Sequence, residues 1–235
     1  MNKEIMEEYI CGKDRVRGAL IGRELGRAGK EAQADGYWLS DFVLVGITGR
    51  SHRWPLAKIA SGAGEWADRY KVAAQNKYAA AAFAMIIHLC LCAEHLDQDV
   101  FKTIVARSLE TVEEIYGASD DVMRSFRKAI EEAVRMADDD GGWRKLEWCE
   151  GADWSGVRTL VTAVFSVLRL MDDFEGCLKC ASELDGDEEC VVEVAGGLIG
   201  AIIGFDAIPK KMTDGFKCLD TMLKMADTMS VVFPM

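Results

Sequence analysis

Two carboxylates stand two residues apart at the entrance of an apolar segment, and their type and spacing suit a hard metal ion. Asp187 and Glu189 belong to an acidic turn that begins with Gly186. Carboxylate oxygens placed in this way on a turn can point at one cation such as Mg²⁺ or Ca²⁺. The competing interpretation is a plain helix N-terminus, where carboxylates bond free backbone N–H groups and oppose the helix dipole. The spacing alone leaves both interpretations open.

The segment that follows this turn predicts a buried helix at the centre of the fold. It is uncharged over residues 194–205 and contains Gly196, Gly197, Gly200 and Gly204. Each glycine costs roughly 1 kcal/mol relative to alanine in a helix interior, so four of them need a structural reason. Because they recur one turn apart, we expect a flat stripe that another helix approaches closely. A membrane span needs ~20 apolar residues, which this run does not reach.

Three short segments follow one another in the C-terminal part of the chain. They are Asp173-Phe174-Glu175, Gly186-Asp187-Glu188-Glu189-Cys190 and Gly204-Phe205-Asp206-Ala207-Ile208-Pro209. Their order and spacing resemble the ADP-ribosylglycohydrolase family, which includes ADP-ribosylarginine hydrolases and dinitrogenase reductase-activating glycohydrolases. In that family an acidic-Phe-Glu segment leads to a Gly-Asp-x-Asp-Thr turn, and a Gly/Ala-rich helix then ends in Gly-(Leu/Phe)-x-x-Ile-Pro. The resemblance implies an all-α fold, a compact multi-helix bundle.

Two weaker matches to the same family lie near the N-terminus. Residues 17–22, Arg-Gly-Ala-Leu-Ile-Gly, are similar to the family's opening helix. Residues 36–42, Gly-Tyr-Trp-Leu-Ser-Asp-Phe, stand where the family carries Thr-Asp-Asp-Thr. The resemblance therefore covers the two ends of the chain and not its middle.

The resemblance also implies a magnesium-dependent hydrolytic site. Enzymes of the family that this chain resembles bind two Mg²⁺ ions through these two acidic motifs. The implied metal ligands are Asp41, Asp187 and Glu189, of which the last two are also the implied catalytic residues. The implied substrate-binding residues are Ser40, Gly186 and Cys190. The implied substrate is ADP-ribose or an ADP-ribosylated protein.

The chain departs from the family pattern in both motifs. In the N-terminal motif only Asp41 remains as an acid, whichever register is chosen. In the C-terminal motif Glu189 replaces the second Asp and Cys190 replaces the Thr. The family's Gly-Asp after the first helix is Gly26-Arg27 here, which puts a cation where an acid is usual. The remaining carboxylates carry charge for one Mg²⁺ ion more readily than for two.

The composition predicts a single all-helical domain over residues 1–235. Half of the residues are apolar and only three are proline, which suits a large helical core. The net charge of −11 disfavours nucleic acid and anionic membranes as partners. The same charge is compatible with a basic protein partner.

The N-terminus and the cysteines predict a cytoplasmic protein with reduced thiols. Residues 1–10 are acidic and mixed, unlike a secretory signal. Cys177 and Cys180 lie one turn apart on a predicted helix, a spacing that rarely allows a disulfide within one helix. A zinc site that combines this pair with a remote pair is the alternative to buried free thiols.

Three tryptophans, Trp143, Trp148 and Trp154, crowd a predicted loop in the second half of the chain. Accessible aromatic rings on a loop can stack on a nucleobase or anchor a protein partner. We therefore expect these rings to be exposed.

Two hypotheses of different classes follow from these observations. In the first, the protein is a hydrolase that uses Mg²⁺ to cleave the glycosidic bond of an ADP-ribosyl group. In the second, the fold is a catalytically degenerate scaffold that binds a basic protein partner through its acidic surface, in an immunity or regulatory role. The altered N-terminal motif favours the second hypothesis.

Overall fold

The computed structural model describes residues 3–27, 37–117, 121–139, 142–144, 152–184 and 188–231. Within these ranges the chain consists of helices and loops without a strand, so the all-α prediction is confirmed. The helices are α1 (Lys3–Arg27), α2 (Val43–Ser51), α3 (Leu56–Arg69), α4 (Ala74–Cys92), α5 (Gln98–Tyr116), α6 (Asp121–Asp138), α7 (Ser155–Arg169), α8 (Phe174–Glu183), α9 (Glu188–Ile203), α10 (Lys210–Thr213) and α11 (Leu219–Met229). Two 3₁₀ helices, Tyr37–Phe42 and Ala152–Trp154, precede α2 and α7. No helix in this part of the chain is both long and apolar enough to span a membrane.

Helix α9 lies at the centre of the fold, and its main neighbour is α1. The two helices touch through their backbones. A Cβ atom at Gly22 would lie 2.1 Å from the Gly196 carbonyl oxygen, and one at Gly18 would lie 2.1 Å from the Gly200 carbonyl oxygen. Only glycine fits at such separations. The predicted glycine stripe is therefore confirmed at Gly196 and Gly200.

The other two glycines of the predicted stripe, Gly197 and Gly204, differ from this pattern. A Cβ atom at Gly197 would meet its nearest neighbours at 3.8 Å, which is ordinary contact, so the prediction of a tight approach is wrong there. Gly204 follows the last residue of α9 with a φ of +81°, a left-handed conformation that ends the helix. It also lies against Asp14 on α1, whose Oδ1 accepts a hydrogen bond from the Asp206 N–H at 3.1 Å.

Helix α4 fills the core beside α9 and is buried on nearly all sides, including Phe83, Met85 and Ile87. Its last carbonyls are capped by two buried guanidiniums from other helices. Arg15 Nη1 donates to Cys90 O at 3.2 Å, and Arg50 Nε donates to Leu91 O at 3.1 Å. Since α1 carries Arg15 and α2 carries Arg50, both helices are held to the end of α4.

The close crossing also sets the position of the charged residues at the end of α1. A Cβ atom at Gly26 would lie 2.4 Å from the Val192 carbonyl oxygen. The last turns of α1 therefore lie directly beside the first turns of α9.

Candidate functional site

The N-terminal acidic motif meets α9 in a cluster of charged side chains. The 3₁₀ helix Tyr37–Phe42 packs against α9 and α4 through Leu39 and Phe42, which are fully buried. This packing places Ser40 and Asp41 beside α9 and the end of α1. We define the charge cluster as Arg23, Glu24, Arg27, Ser40, Asp41 and Glu193.

Glu193 forms the buried floor of the charge cluster. It lies on α9 with 0% exposure. Its Oε2 accepts a hydrogen bond from the Ser40 hydroxyl, and its Oε1 lies 3.8 Å from Arg27 Nε without a hydrogen-bond partner. Burial raises the pKa of Glu193 above the usual 4.5, although Ser40, Arg23 and Arg27 act in the opposite direction.

Arg23 stands at the centre of the charge cluster, where its three guanidinium nitrogens face oxygens from three elements. Nη2 pairs with the Asp41 carboxylate on the 3₁₀ helix, and Nη1 lies 3.1 Å from Glu24 Oε1 on α1. Nε donates to Ser40 Oγ at 3.2 Å and lies 4.0 Å from Glu193 Oε2 on α9. The side chain is 10% exposed, so these ion pairs are largely shielded from water.

Asp41 and Tyr70 form the outer rim of the charge cluster. The Asp41 side chain is 35% exposed, and the Tyr70 hydroxyl lies 3.5 Å from its Oδ2. Burial and the neighbouring Asp41 raise the pKa of Tyr70. The arrangement joins α1, α9 and the 3₁₀ helix, and its exposed part lies at Asp41 and Tyr70.

The structure places the predicted site residues in different locations. Ser40 and Asp41 are brought to α9, where Ser40 contacts Glu193, one turn beyond Glu189. Cys190 lies on α9 and is 2% exposed. Gly186 and Asp187 lie outside the described residues, and only the backbone of Glu189 is described. Roles for these residues in catalysis or substrate binding stay predictions.

The described half of the predicted magnesium site does not fit the ion. Mg²⁺ demands a nearly octahedral shell of oxygens. Here the Asp41 carboxylate is paired with Arg23. The Ser40 hydroxyl accepts a hydrogen bond from Arg23 and donates one to Glu193. The flanking residues Leu39 and Phe42 are apolar and buried. Among the described residues no group of three or more His, Cys, Asp or Glu side chains is placed to hold a metal ion.

Sequence reasoning did not assign a role to Arg23 or Glu193, which are central to the observed cluster. A signal for Glu193 existed, because it is a lone charge between Val192 and Val194 at the start of the apolar helix. A buried lone charge needs a partner. No local sequence pattern identified Arg23 as that partner.

The pH dependence of stability tests the burial of Glu193. Because its folded pKa lies above 4.5, the stability that it contributes is fully present below pH 4.5 and is lost as the pH rises through the folded pKa. We expect Glu193→Gln to gain stability relative to wild type as the pH rises from 4.5, by at most about 1.4 kcal/mol per pH unit. Urea unfolding of both proteins at several pH values measures this difference. Parallel pH profiles would contradict the assignment.

A separate cleft of about 690 Å³ opens between the α4–α5 and α7–α8 loops. Its ionisable lining residues are Asp97, Asp99, Asp172, Asp173, His95 and Arg169. Asp97 and Asp173 already cap α5 and α8 through hydrogen bonds from backbone N–H groups. The negative field of this lining favours a cationic group over a phosphate.

The expected exposure of the tryptophan loop is wrong for the residues that the structure describes. Trp143 packs edge-on against Phe165 with ring centroids 5.1 Å apart, and Trp154 is partly buried against the core. Trp148 lies outside the described residues. Aromatic side chains near the loop ends are held inward because packing against the core removes more apolar surface from water.

The described cysteines lie in different environments. Cys177 and Cys190 are buried, whereas Cys92 and Cys218 are exposed. Burial raises the pKa of Cys90 to about 12, which keeps that thiol protonated. The alternative of a zinc site at Cys177 and Cys180 has no support among the described side chains.

Comparison with known proteins gives one family match and one distant structural match. A family model described as ADP-ribosylglycohydrolase matches residues 48–233. A solved structure described as an ADP-ribosylglycohydrolase-related protein complex is similar over 94% of this chain and 99% of that chain, with 16% identity and a TM-score of 0.42. No curated protein matches the chain significantly. The family match includes the helix that carries Glu193 and omits the elements that carry Arg23, Ser40 and Asp41.

Proposed function

The chain belongs to the ADP-ribosylglycohydrolase family, and we propose that it is a catalytically degenerate member that acts by binding a protein partner. The observation that carries this proposal is the ion pair between Arg23 and Asp41. Asp41 is the one acid left in the N-terminal motif, and its carboxylate is already neutralised by a side chain of the same protein.

The Arg23–Asp41 pair opposes metal-assisted hydrolysis for an electrostatic reason. A metal ion activates water and orients substrate oxygens only when several carboxylates are available to bind it. A divalent ion at Asp41 would lie next to the Arg23 guanidinium and would be repelled by it. The implied ligands Asp187 and Glu189 would have to hold an ion without the N-terminal motif.

The chemistry of the partner follows from the charge of the chain. A net charge of −11 raises the association rate with basic proteins and slows association with polyanions. The proposed partner is therefore a basic protein, as expected for a scaffold in an immunity or regulatory role. Carboxylates in the cleft between the α4–α5 and α7–α8 loops contribute to this negative field.

Calorimetry on the metal-stripped protein tests the loss of the metal site. We expect no heat of binding on titration with Mg²⁺, and no release of ADP-ribose from an ADP-ribosylated protein with or without Mg²⁺. Asp187→Ala is the control, because any heat that disappears in this variant belongs to the implied C-terminal ligands. Micromolar Mg²⁺ binding that is lost in Asp187→Ala, together with ADP-ribose release by wild type, would establish the hydrolase hypothesis instead.

The partner itself is sought by chemical crosslinking in the native cells, followed by reconstitution from purified components. We expect a basic partner whose association constant falls steeply as the salt concentration rises. A reconstituted partner that is acidic, or whose affinity is insensitive to salt, would contradict the role of the acidic surface.

A further inference from the structure

The C-terminal helix α11 is attached to the rest of the molecule mainly by polar contacts. Ala226 is buried, and every other residue of α11, all of which the structure describes, is at least partly exposed. The main neighbours of α11 are α1 and α2. An element with few buried apolar contacts has low local stability and can open while the rest of the fold stays closed. In this respect α11 differs from α4, which is buried on nearly all sides.

One carboxylate of α11 forms ion pairs with α1. Arg17 donates to the Asp227 carboxylate with two nitrogens, from Nε to Oδ1 at 2.6 Å and from Nη2 to Oδ2 at 2.8 Å. Lys13 Nζ lies 3.0 Å from the same Oδ2. The two-pronged geometry makes this pair stronger than most surface ion pairs. Because the three side chains are between 28% and 33% exposed, salt still weakens their attraction.

Two donors at the end of α2 hold the last carbonyls of α11. Arg50 Nη1 donates to Ser230 O at 3.1 Å, and the Ser51 hydroxyl donates to Met229 O. Carbonyls at the end of a helix have no helical partner, and water can solvate them once α11 has separated. Arg50 also donates to Leu91 O through Nε at 3.1 Å. This second bond keeps Arg50 at the end of α4 whether or not α11 is in place.

We propose that α11 is a releasable strap, a helix that separates from α1 and α2 as one unit while the other helices stay folded. An isolated helix of 11 residues is marginal in water, so the released segment loses its helical hydrogen bonds. Release leaves Lys13 and Arg17 without their Asp227 partner, which raises the positive charge of that face of α1. It also exposes the apolar residues of α11 that pack against the core, namely Leu219, Met222, Leu223 and Met229.

This inference goes beyond the proposed function and does not rest on it. None of the residues that hold α11 belongs to the charge cluster or lines the cleft between the α4–α5 and α7–α8 loops. The strap is a conformational device, because its opening changes both the charge and the apolar area of one face of the molecule. Salt controls the opening through the ion pairs of Asp227.

Native-state hydrogen exchange followed by mass spectrometry tests the strap in the wild-type protein. We expect the amides of α11 to exchange at least about 100-fold faster than those of α4, after correction for intrinsic rates. Release as one unit requires similar protection along the whole of α11. A rise in salt concentration to about 1 M should speed exchange in α11 about threefold and should not speed exchange in α4.

Substitution of the ion-pair residues tests how α11 is held. We expect Asp227→Asn to speed exchange in α11 by about threefold to fivefold, the size typical of a part-exposed ion pair. The Lys13→Gln/Arg17→Gln variant provides the matched background, because it removes both cations and keeps the carboxylate. In that background Asp227→Asn should have no effect on exchange.

Each outcome decides the proposal. Amides of α11 that are as well protected as those of α4 overturn it. Protection that falls steadily toward Met229 also overturns it, because that gradient indicates fraying of the helix end and not release as a unit. An effect of Asp227→Asn that is equal in both backgrounds would show that the ion pairs with Lys13 and Arg17 do not hold the strap.

Discussion

Replacement of Gly22 by alanine is expected to lower the free energy of unfolding by about 3 kcal/mol or more. The added methyl group would lie 2.1 Å from the Gly196 carbonyl oxygen, which is backbone and cannot rotate away. The helices α1 and α9 must then separate, and the packing of α9 with its other neighbours is disturbed. Urea or thermal unfolding followed by circular dichroism measures the loss.

Gly197→Ala on the same helix is the matched control for Gly22→Ala. Its Cβ atom would have its nearest neighbours at 3.8 Å, so the substitution adds ordinary contacts and removes a flexible helix residue. We expect it to leave stability unchanged or to increase it by up to about 1 kcal/mol. If both variants lose similar stability, the close crossing of α1 and α9 is not the cause.

Replacement of Ser40 by alanine is expected to cost about 2–3 kcal/mol at neutral pH. The Ser40 hydroxyl donates to Glu193 Oε2, and this carboxylate has no exposure through which water could replace the lost bond. Because the hydrogen bond lowers the pKa of Glu193, its removal raises that pKa further. The variant should therefore lose stability relative to wild type as the pH rises through the folded pKa, and much less of the difference should remain below pH 4.5.

Ser108→Ala provides the control for the Ser40 substitution. Ser108 is equally buried at 0% exposure, but its hydroxyl donates only to the Ile104 carbonyl of its own helix at 2.9 Å. That carbonyl keeps its helical N–H partner after the substitution, and alanine is the better helix former. We expect a change within about 0.5 kcal/mol that does not depend on pH. A Ser40 effect of the same size would show that the bond to Glu193 is unimportant.

These two substitutions probe different requirements of the same site. The glycine contact sets the distance between α1 and α9, and that distance determines whether Arg23 can reach Asp41 and Glu193 together. The Ser40 hydrogen bond satisfies the carboxylate once it has been placed. A family fold with this internal pairing can keep its architecture without a metal ion, which is what a scaffold requires.

Local sequence was sufficient to predict several features of the molecule. The scarcity of proline and the high apolar content predicted an all-α fold, and the structure confirms it. The glycine spacing in residues 196–204 predicted a close helix contact, which is present at Gly196 and Gly200. The short segments between Asp173 and Pro209 indicated the ADP-ribosylglycohydrolase family, and the family match confirms that resemblance. Such features depend on residues that are close together in the sequence, so local sequence patterns are sufficient to predict them.

The partners of the charged residues were decided by the tertiary structure. Ser40 and Glu193 are 153 residues apart, and Arg23 joins them only because α1 crosses α9 through backbone contact. The inward packing of Trp143 likewise depends on where α7 presents Phe165. The sequence by itself determined the all-helical class and the apolar helix after the acidic turn, with a lone Glu193 near its start. Only the tertiary structure decided that the Ser40 hydroxyl and two guanidiniums lie beside it, because burial and charge pairing depend on distances between remote segments.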